Sequence, residues 1–267
     1  MKRTLAVAAA VTMAAATLAA CSSGSSSGTS SGTSSAPASA ASSLTGSITV
    51  LAAASLTESF TTIGKQFEAA HPGTKVTFSF GASSDLAQQA VNGAPADVFA
   101  SASPKTMKTV TDANDAGTPS TFATNVLEVA TPPGNPAGVT SVADLAKSSV
   151  KVAVCQAQVP CGATAQAMFD LNKLTVKPVT EEPDVKSVLA KVELDAVDAG
   201  VVYVTDVKAA GSKVVGVEIP ADQNVSTSYP IATLNASKNT ALASAFMAYV
   251  LSADGQSVLT AAGFGAP

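Results

Sequence analysis

Strand-like and helix-like segments alternate along most of this 267-residue chain, and this alternation is the feature that most limits its possible folds. Short apolar runs that predict buried strands lie at residues 48–51, 76–80, 97–101, 126–131, 150–154, 200–204, 214–219 and 231–234. Apolar spacings of three and four, typical of helices, lie at residues 56–67, 86–91, 105–112, 142–146, 163–171, 185–192, 239–251 and 256–262. Such alternation predicts an α/β fold in which largely parallel sheets are covered by helices.

The N-terminal segment has the layout of an export signal. Two basic residues precede an Ala-rich apolar stretch at residues 5–20, which is too short to span a membrane comfortably. The stretch runs into LAAC at residues 18–21, which resembles the lipobox of bacterial lipoproteins. This resemblance implies a signal peptide over residues 1–20, cleavage before Cys21 and a lipid on the Cys21 sulfur. The alternative is ordinary signal cleavage nearby, which would release a soluble secreted protein.

Residues 22–43 consist almost wholly of Ser, Gly, Ala and Thr and have no apolar periodicity, so they cannot bury a core. We therefore expect residues 21–45 to comprise the lipidated Cys21 and a flexible tether. The tether would hold a folded body at the outer face of the cytoplasmic membrane, with a mean reach of about 25 Å. No later segment looks like a membrane span, so the lipid would be the only attachment to the membrane.

The charge of the chain excludes some partners and some kinds of site. It carries 15 Lys and Arg against 19 Asp and Glu, and removal of Lys2 and Arg3 leaves 13 against 19, a net charge of about −6. An acidic chain without basic clusters argues against nucleic-acid binding. Arg3 is the only arginine, so the mature protein cannot clamp a carboxylate or phosphate with a bidentate guanidinium group.

Small residues and hydroxyl groups recur where predicted strands or loops meet helices. Such junctions contain Ser55, Ser83 and Ser84, Gly162, and Val185, and Tyr203 lies near the end of a predicted strand. Free N–H groups in the first turn of a helix, together with nearby hydroxyls, form a ready site for an anion.

Each junction also has a purely structural interpretation. Ser55 and Glu58 fit a capping box, and Ser83 or Ser84 could be the N-cap of the next helix. Asp184 would cap the helix that follows it. The Tyr203 ring would then be a partly buried core residue.

Seven segments lie in order over nearly the whole body: ITVLAAASLT (48–57), FGASS (80–84), GAPADVF (93–99), VPCG (159–162), DVK (184–186), GVVY (200–203) and GF (263–264). Each is weak alone, but together they are specific, and they are similar to the molybdate-binding proteins of bacterial ABC importers. The resemblance implies a two-lobed periplasmic-binding-protein fold, in which each lobe is a mostly parallel sheet flanked by helices. Lobe 1 would comprise residues 46–124 and 226–267, and lobe 2 residues 125–225.

The resemblance also implies the ligand contacts. The oxyanion would be held by the side chains of Ser55, Ser83 and Tyr203 and by the backbone N–H groups of Cys161 and Val185. Cys161 stands where many relatives have Ala; a backbone contact survives that change, although the local geometry can differ. The anion would bridge the lobes and favour the closed state, which docks on an ABC permease. We expect a monomer that needs no cofactor.

The chemistry of the ligand agrees with this implied site. Molybdate and tungstate are fully deprotonated near neutral pH, so they only accept hydrogen bonds and suit a site built of donors. Phosphate keeps a proton and suits a site that includes an acceptor. Asp85 and Asp184 lie near the junctions and leave phosphate open, but we expect both to face away from the ligand. Sulfate also stays open, whereas the missing arginine counts against a small carboxylate.

The sequence does not favour an enzyme. His71 is the only histidine, and no nucleophile-elbow motif is present, so a Ser-His-Asp triad has little support. Cys155, Cys161 and one distant histidine do not match a zinc pattern, so we expect no direct ligands to a metal cation.

Two cysteines remain once Cys21 carries a lipid. Because the chain is predicted to be exported from the cytoplasm to a compartment in which thiols oxidise, we expect a disulfide between Cys155 and Cys161. The alternative is two reduced, buried thiols that only fill space.

Overall fold

The computed structural model describes residues 44–267, so the predicted signal peptide, Cys21 and most of the predicted tether lie outside the described residues. Among residues 44–267, no helix has the length and apolar character needed to cross a membrane.

Nine strands and eight α-helices make up the described part of the chain. The strands are β1 (Gly46–Ala53), β2 (Thr74–Gly81), β3 (Val98–Ala100), β4 (Ser120–Thr131), β5 (Val152–Cys155), β6 (Thr180–Glu182), β7 (Ala199–Tyr203), β8 (Val215–Glu218) and β9 (Ser226–Thr233). The helices are α1 (Thr57–Ala70), α2 (Ser83–Val91), α3 (Pro104–Asp112), α4 (Pro160–Leu171), α5 (Val185–Glu193), α6 (Val204–Ala210), α7 (Thr240–Leu251) and α8 (Ala253–Ala262). Residues 142–146 form a 3₁₀ helix.

The first lobe is built on β1, which pairs in parallel with β2 on one side and β3 on the other. Successive side chains of a strand point to opposite faces. Val50 therefore packs with Phe60 of α1 and Phe246 of α7, while Leu51 packs with the α2 and α3 side of the sheet. The near-continuous apolar run of β1 is explained by this burial on both faces.

The second lobe repeats this plan around β5, which pairs in parallel with β6 and β7. Its core combines the fully buried β7 with residues of α4 and α5, including Met168 and Val188. Gly200 of β7 lies directly beneath α5, where an added Cβ would overlap the side chains of Val188 and Val192. A glycine is therefore required for this close approach of helix and strand.

Strands β4 and β9 connect the two lobes. The first part of β4 pairs with β9 in antiparallel register, from Ser120 to Val126, and the rest of β4 pairs with β7 and β8 from Leu127 onward. Strand β9 also pairs with β3. The strand order is β2-β1-β3-β9-β4-β7-β5-β6, with β8 paired to β4, so the sheet is mixed. The lobe boundaries at residues 124/125 and 225/226 stay a prediction.

The structure extends the sequence-based assignment at several places. Strands β4 and β9 begin at Ser120 and Ser226 rather than at residues 126 and 231. Their first halves are polar, and they become strands because they pair with each other across the chain. Strand β6 and helix α6 were not predicted, because β6 is three residues long and α6 continues the apolar run of β7.

Candidate functional site

All five residues implied by the resemblance border one small cavity between the lobes: Ser55, Ser83, Cys161, Val185 and Tyr203. The volume of the cavity is about 20 Å³, against roughly 10–15 Å³ needed for one water. Apart from Asp184, the rest of its wall consists of small or apolar residues: Ala53, Ala54, Gly81, Ala82, Ala102, Val159 and Pro160. The arrangement suits a compact ligand that accepts hydrogen bonds.

Ser55 lies in a single 3₁₀ turn, Ala54–Leu56, between β1 and α1. This extra turn makes Leu56 the N-cap of α1, and no side chain caps the helix. The capping box of Ser55 with Glu58 is therefore wrong, because Ser55 lies one residue too early. The buried Ser55 hydroxyl instead lies 2.9 Å from the hydroxyl of Tyr229.

Ser83 is the first residue of α2, and the backbone of Ala82 precedes it as N-cap without a side-chain hydrogen bond. The interpretation of Ser83 or Ser84 as an N-cap is therefore wrong. The backbone N–H of Ala102 donates to the Ser83 Oγ over 3.0 Å. The Ser83 oxygen accepts this hydrogen bond, and among the described residues the hydroxyl has no acceptor of its own, so its proton stays available for a ligand. Ser83 is 1% exposed and borders the cavity, so its hydroxyl can donate to a ligand there.

Cys161 and Val185 lie in the first turns of α4 and α5. Backbone N–H groups there have no partner within the helix, and helix N-termini carry a partial positive charge. Both helix starts border the cavity, so they can present N–H donors to an anion.

Asp184 is the N-cap of α5, and its Oδ1 accepts the Ser187 N–H over 2.9 Å, as the structural interpretation predicted. The residue also borders the cavity, but its carboxylate caps the helix. That Asp184 faces away from the ligand stays a prediction. Asp85 is exposed on α2 and does not border the cavity.

Tyr203 ends β7 and is 1% exposed. Its hydroxyl has no hydrogen-bond partner among the described residues, which is unusual because a buried tyrosine hydroxyl normally finds one. Burial raises the pKa of Tyr203 well above its usual range and outweighs the lowering effect of the nearby Thr164 and Tyr229 hydroxyls, while the Asp206 carboxylate acts in the same direction as burial. The hydroxyl therefore stays protonated and can donate to a ligand in the cavity.

Cys155 and Cys161 are joined by a disulfide in the structure, with their Cα atoms 5.7 Å apart. The bridge connects the end of β5 with the first turn of α4 and therefore closes the loop next to the cavity. Gly162 is required in this turn, because an added Cβ would collide with the carbonyl oxygens of Cys155 and Gln156. Within residues 44–267, no group of three metal-binding side chains is brought together.

A charged cluster, Lys186 with Glu58 and Asp206, lies beside the site. The Lys186 Nζ is 2.9 Å from Glu58 of the first lobe and 3.1 Å from the fully buried Asp206 of the second. Burial alone would lower the pKa of Lys186, but the two carboxylates outweigh burial and raise it. Lys186 therefore stays charged and links α1 to α5.

Sequence reasoning missed two groups of residues around the site. Lys186 belongs to the DVK segment, yet no contact was predicted for it. Tyr229, in the polar first half of β9, contacts Ser55 directly. Asn125, in the first half of β4, contacts Tyr229. Residues 226–230 show no apolar periodicity, so no local signal pointed to Tyr229.

Comparison with known proteins gives a consistent result. The sequence profile of bacterial extracellular solute-binding proteins matches residues 48–265. The molybdate-binding protein ModA of Mycobacterium tuberculosis H37Rv is 43% identical over 221 residues, which are 82% of this chain and 85% of that protein. ModA of Haemophilus influenzae is 32% identical over 231 residues, covering 82% and 90%. The match covers nearly all of the described residues.

A solved structure supports the same fold. The periplasmic molybdate-binding protein of Azotobacter vinelandii superposes with a TM-score of 0.72 at 23% identity, covering 82% of this chain and 99% of that one. The predicted α/β periplasmic-binding-protein fold and the resemblance seen in the sequence are thereby confirmed.

Proposed function

Because the chain belongs to the family of bacterial extracellular solute-binding proteins, we propose that it binds molybdate outside the cytoplasm and delivers it to an ABC importer. Tungstate has nearly the same size and charge, so it should enter the same site. The observation that carries the proposal is the cavity bordered by three hydroxyl side chains and two helix starts.

The donor set explains the choice of ligand. The Ser83 oxygen accepts the Ala102 N–H, and Tyr203 has a protonated hydroxyl with no hydrogen-bond partner in residues 44–267. Both therefore act as donors, as do the first-turn N–H groups of Cys161 and Val185. A fully deprotonated tetrahedral oxyanion accepts from all of them. No arginine is available to neutralise the charge, so hydrogen bonds and helix ends must do so.

Asp184 keeps phosphate as the second candidate. The residue borders the cavity, and a carboxylate turned towards the ligand could accept the proton of hydrogen phosphate. Against this, Asp184 is already bonded to the Ser187 N–H at the start of α5. Sulfate is fully deprotonated as well, but it is smaller, so the same donors would have to close further around it.

The site divides between the lobes. Ser55 and Ser83 follow strands of the first lobe, whereas Cys161, Val185 and Tyr203 belong to the second. A ligand that contacts both sets is bound better by the closed arrangement, so binding shifts the population towards closure. We propose that the closed form docks on the permease and that the protein performs no reaction on its ligand.

The sequence also supports a proposal for the location of the protein. We propose that Cys21 is lipidated and that residues 22–45 tether a monomeric body to the outer face of the cytoplasmic membrane. No cofactor is required for this role.

Calorimetric titration of the mature chain, with Cys21→Ala to avoid lipidation, tests the proposal. Molybdate and tungstate should bind with similar, high affinity, sulfate more weakly and phosphate most weakly. Tight phosphate binding without any molybdate heat would overturn the proposal and favour the second candidate.

A further inference from the structure

The direction of one buried hydrogen bond decides whether Ser55 can donate to a ligand. The hydroxyls of Ser55 and Tyr229 are 2.9 Å apart, and either could be the donor. If Ser55 donates to Tyr229, its oxygen presents only lone pairs to the cavity. If Tyr229 donates to Ser55, the Ser55 proton is free for an anion.

The hydrogen bonds of Asn125 favour one of these two directions. Its Oδ1 accepts the backbone N–H of Val126 over 3.0 Å, which fixes the orientation of the side-chain amide. The Nδ2 group therefore points the other way, where it donates to Thr205 Oγ1 over 2.9 Å and lies 3.4 Å from the Tyr229 hydroxyl. The opposite orientation would bring two N–H donors together at Val126.

The three residues then form a directed chain of hydrogen bonds. Asn125 donates to the Tyr229 oxygen, and the Tyr203 hydroxyl makes no hydrogen bond with it, so among the described residues Ser55 is the acceptor within reach of the Tyr229 proton. The Ser55 proton is then free to point into the cavity. Asn125, Tyr229 and Ser55 are each 5% exposed or less, so bulk water does not compete for the hydrogen bonds between them. Ser83 reaches the same state by a different route, through the Ala102 N–H.

We propose that Tyr229 and Asn125 are positioning residues that hold Ser55 as a hydrogen-bond donor and so select fully deprotonated oxyanions over protonated ones. This inference rests on the proposed function. Without the chain, Ser55 could rotate and accept the proton of hydrogen phosphate. With the chain in place, the proton of hydrogen phosphate would face the Ser55 proton, and no hydrogen bond could form between them.

A double-mutant cycle tests the inference. Tyr229→Phe, Ser55→Ala and the double variant are titrated with molybdate and with phosphate by calorimetry. Tyr229→Phe should weaken molybdate binding about threefold to tenfold, the size of one lost hydrogen bond. In the Ser55→Ala background the same change should have less than about a twofold effect, because Tyr229 acts through Ser55. Phosphate should lose less affinity than molybdate, so their affinity ratio should shrink.

Tyr249→Phe is the matched control, since Tyr249 lies on α7 away from the cavity and should leave both affinities unchanged. If Tyr229→Phe does not fold, as judged by melting, Asn125→Ala takes its place and should also act only when Ser55 is present. An unchanged molybdate affinity, or an equal loss in the Ser55→Ala background, would overturn the inference. If the parent protein binds phosphate but not molybdate, the proposed function fails instead, which separates the two outcomes.

Discussion

The unpartnered hydroxyl of Tyr203 gives a prediction in which stability and affinity move in opposite directions. Tyr203→Phe removes a buried polar group that has no hydrogen-bond partner among the described residues. Burying such a group costs about 1–3 kcal/mol, so the ligand-free variant should be as stable as the parent or more stable. Most substitutions of buried side chains do the reverse, which makes the sign informative.

The effect on ligand binding should be large and unfavourable. A hydrogen bond to a charged group contributes about 1.5–3 kcal/mol, so molybdate affinity should fall about tenfold to a hundredfold. The pKa of Tyr203 is raised, above the ordinary value of about 10, so its hydroxyl stays protonated. Its contribution to affinity should therefore persist at pH 6 to 9 and be lost only as the pH rises above that ordinary value.

Thermal melting with and without molybdate measures both effects in one experiment. The ligand-free melting temperature should be unchanged or several degrees higher. The upward shift caused by saturating molybdate should be smaller by about 3–6 °C for each tenfold loss of affinity. Tyr249→Phe should change neither value. A ligand-free variant that melts clearly lower, with unchanged affinity, would show that the hydroxyl serves the core and not the ligand.

Other predictions concern single groups. Ser83→Ala should weaken molybdate binding about tenfold to a hundredfold by titration; an unchanged affinity would contradict its role as donor. Mass spectrometry after alkylation without reductant should find Cys155 and Cys161 unmodified, and two alkylated thiols would mean that packing alone holds the loop. Cys21→Ala should release the protein from the membrane fraction or leave it unprocessed, and unchanged fractionation would contradict anchoring. Hydrogen bonds from Lys147 and the neighbouring backbone lower the pKa of Asp144, so Asp144→Asn should cost about 1.5–3 kcal/mol in urea unfolding at pH 7. That cost should shrink as the pH falls below about 4, where the carboxylate of the unfolded chain protonates. A cost that does not change with pH would show that the ionised carboxylate of Asp144 does not stabilise the fold.

The parts of the fold that sequence predicts are those whose burial is encoded locally. The apolar runs of β1, β5 and β7 mark buried strands, and the spacing of Phe60, Ile63 and Phe67 marks one face of α1. The polar first half of β9 carries no such local signal. It is a strand only because the first half of β4, about a hundred residues earlier in the chain, supplies its partners.

In the candidate site, too, the residues in local motifs could be predicted and the contacts between distant residues could not. The resemblance implied Ser55, Ser83, Cys161, Val185 and Tyr203 because each lies in a short motif, and the fold brings all of them to one cavity. The contacts that orient them were not accessible. Tyr229 lies 174 positions from Ser55, and Lys186 lies 128 positions from Glu58, so neither contact has a spacing that a local pattern could reveal.

The most direct test of the central claim is a crystal structure of the mature protein with molybdate, using the anomalous signal of molybdenum to locate the ion. The account predicts a single peak in the cavity between the lobes. Its oxygens should lie within hydrogen-bond distance of the hydroxyls of Ser55, Ser83 and Tyr203 and of the backbone nitrogens of Cys161 and Val185. A peak elsewhere, or an ion held by lysine side chains with these groups left unbound, would contradict it.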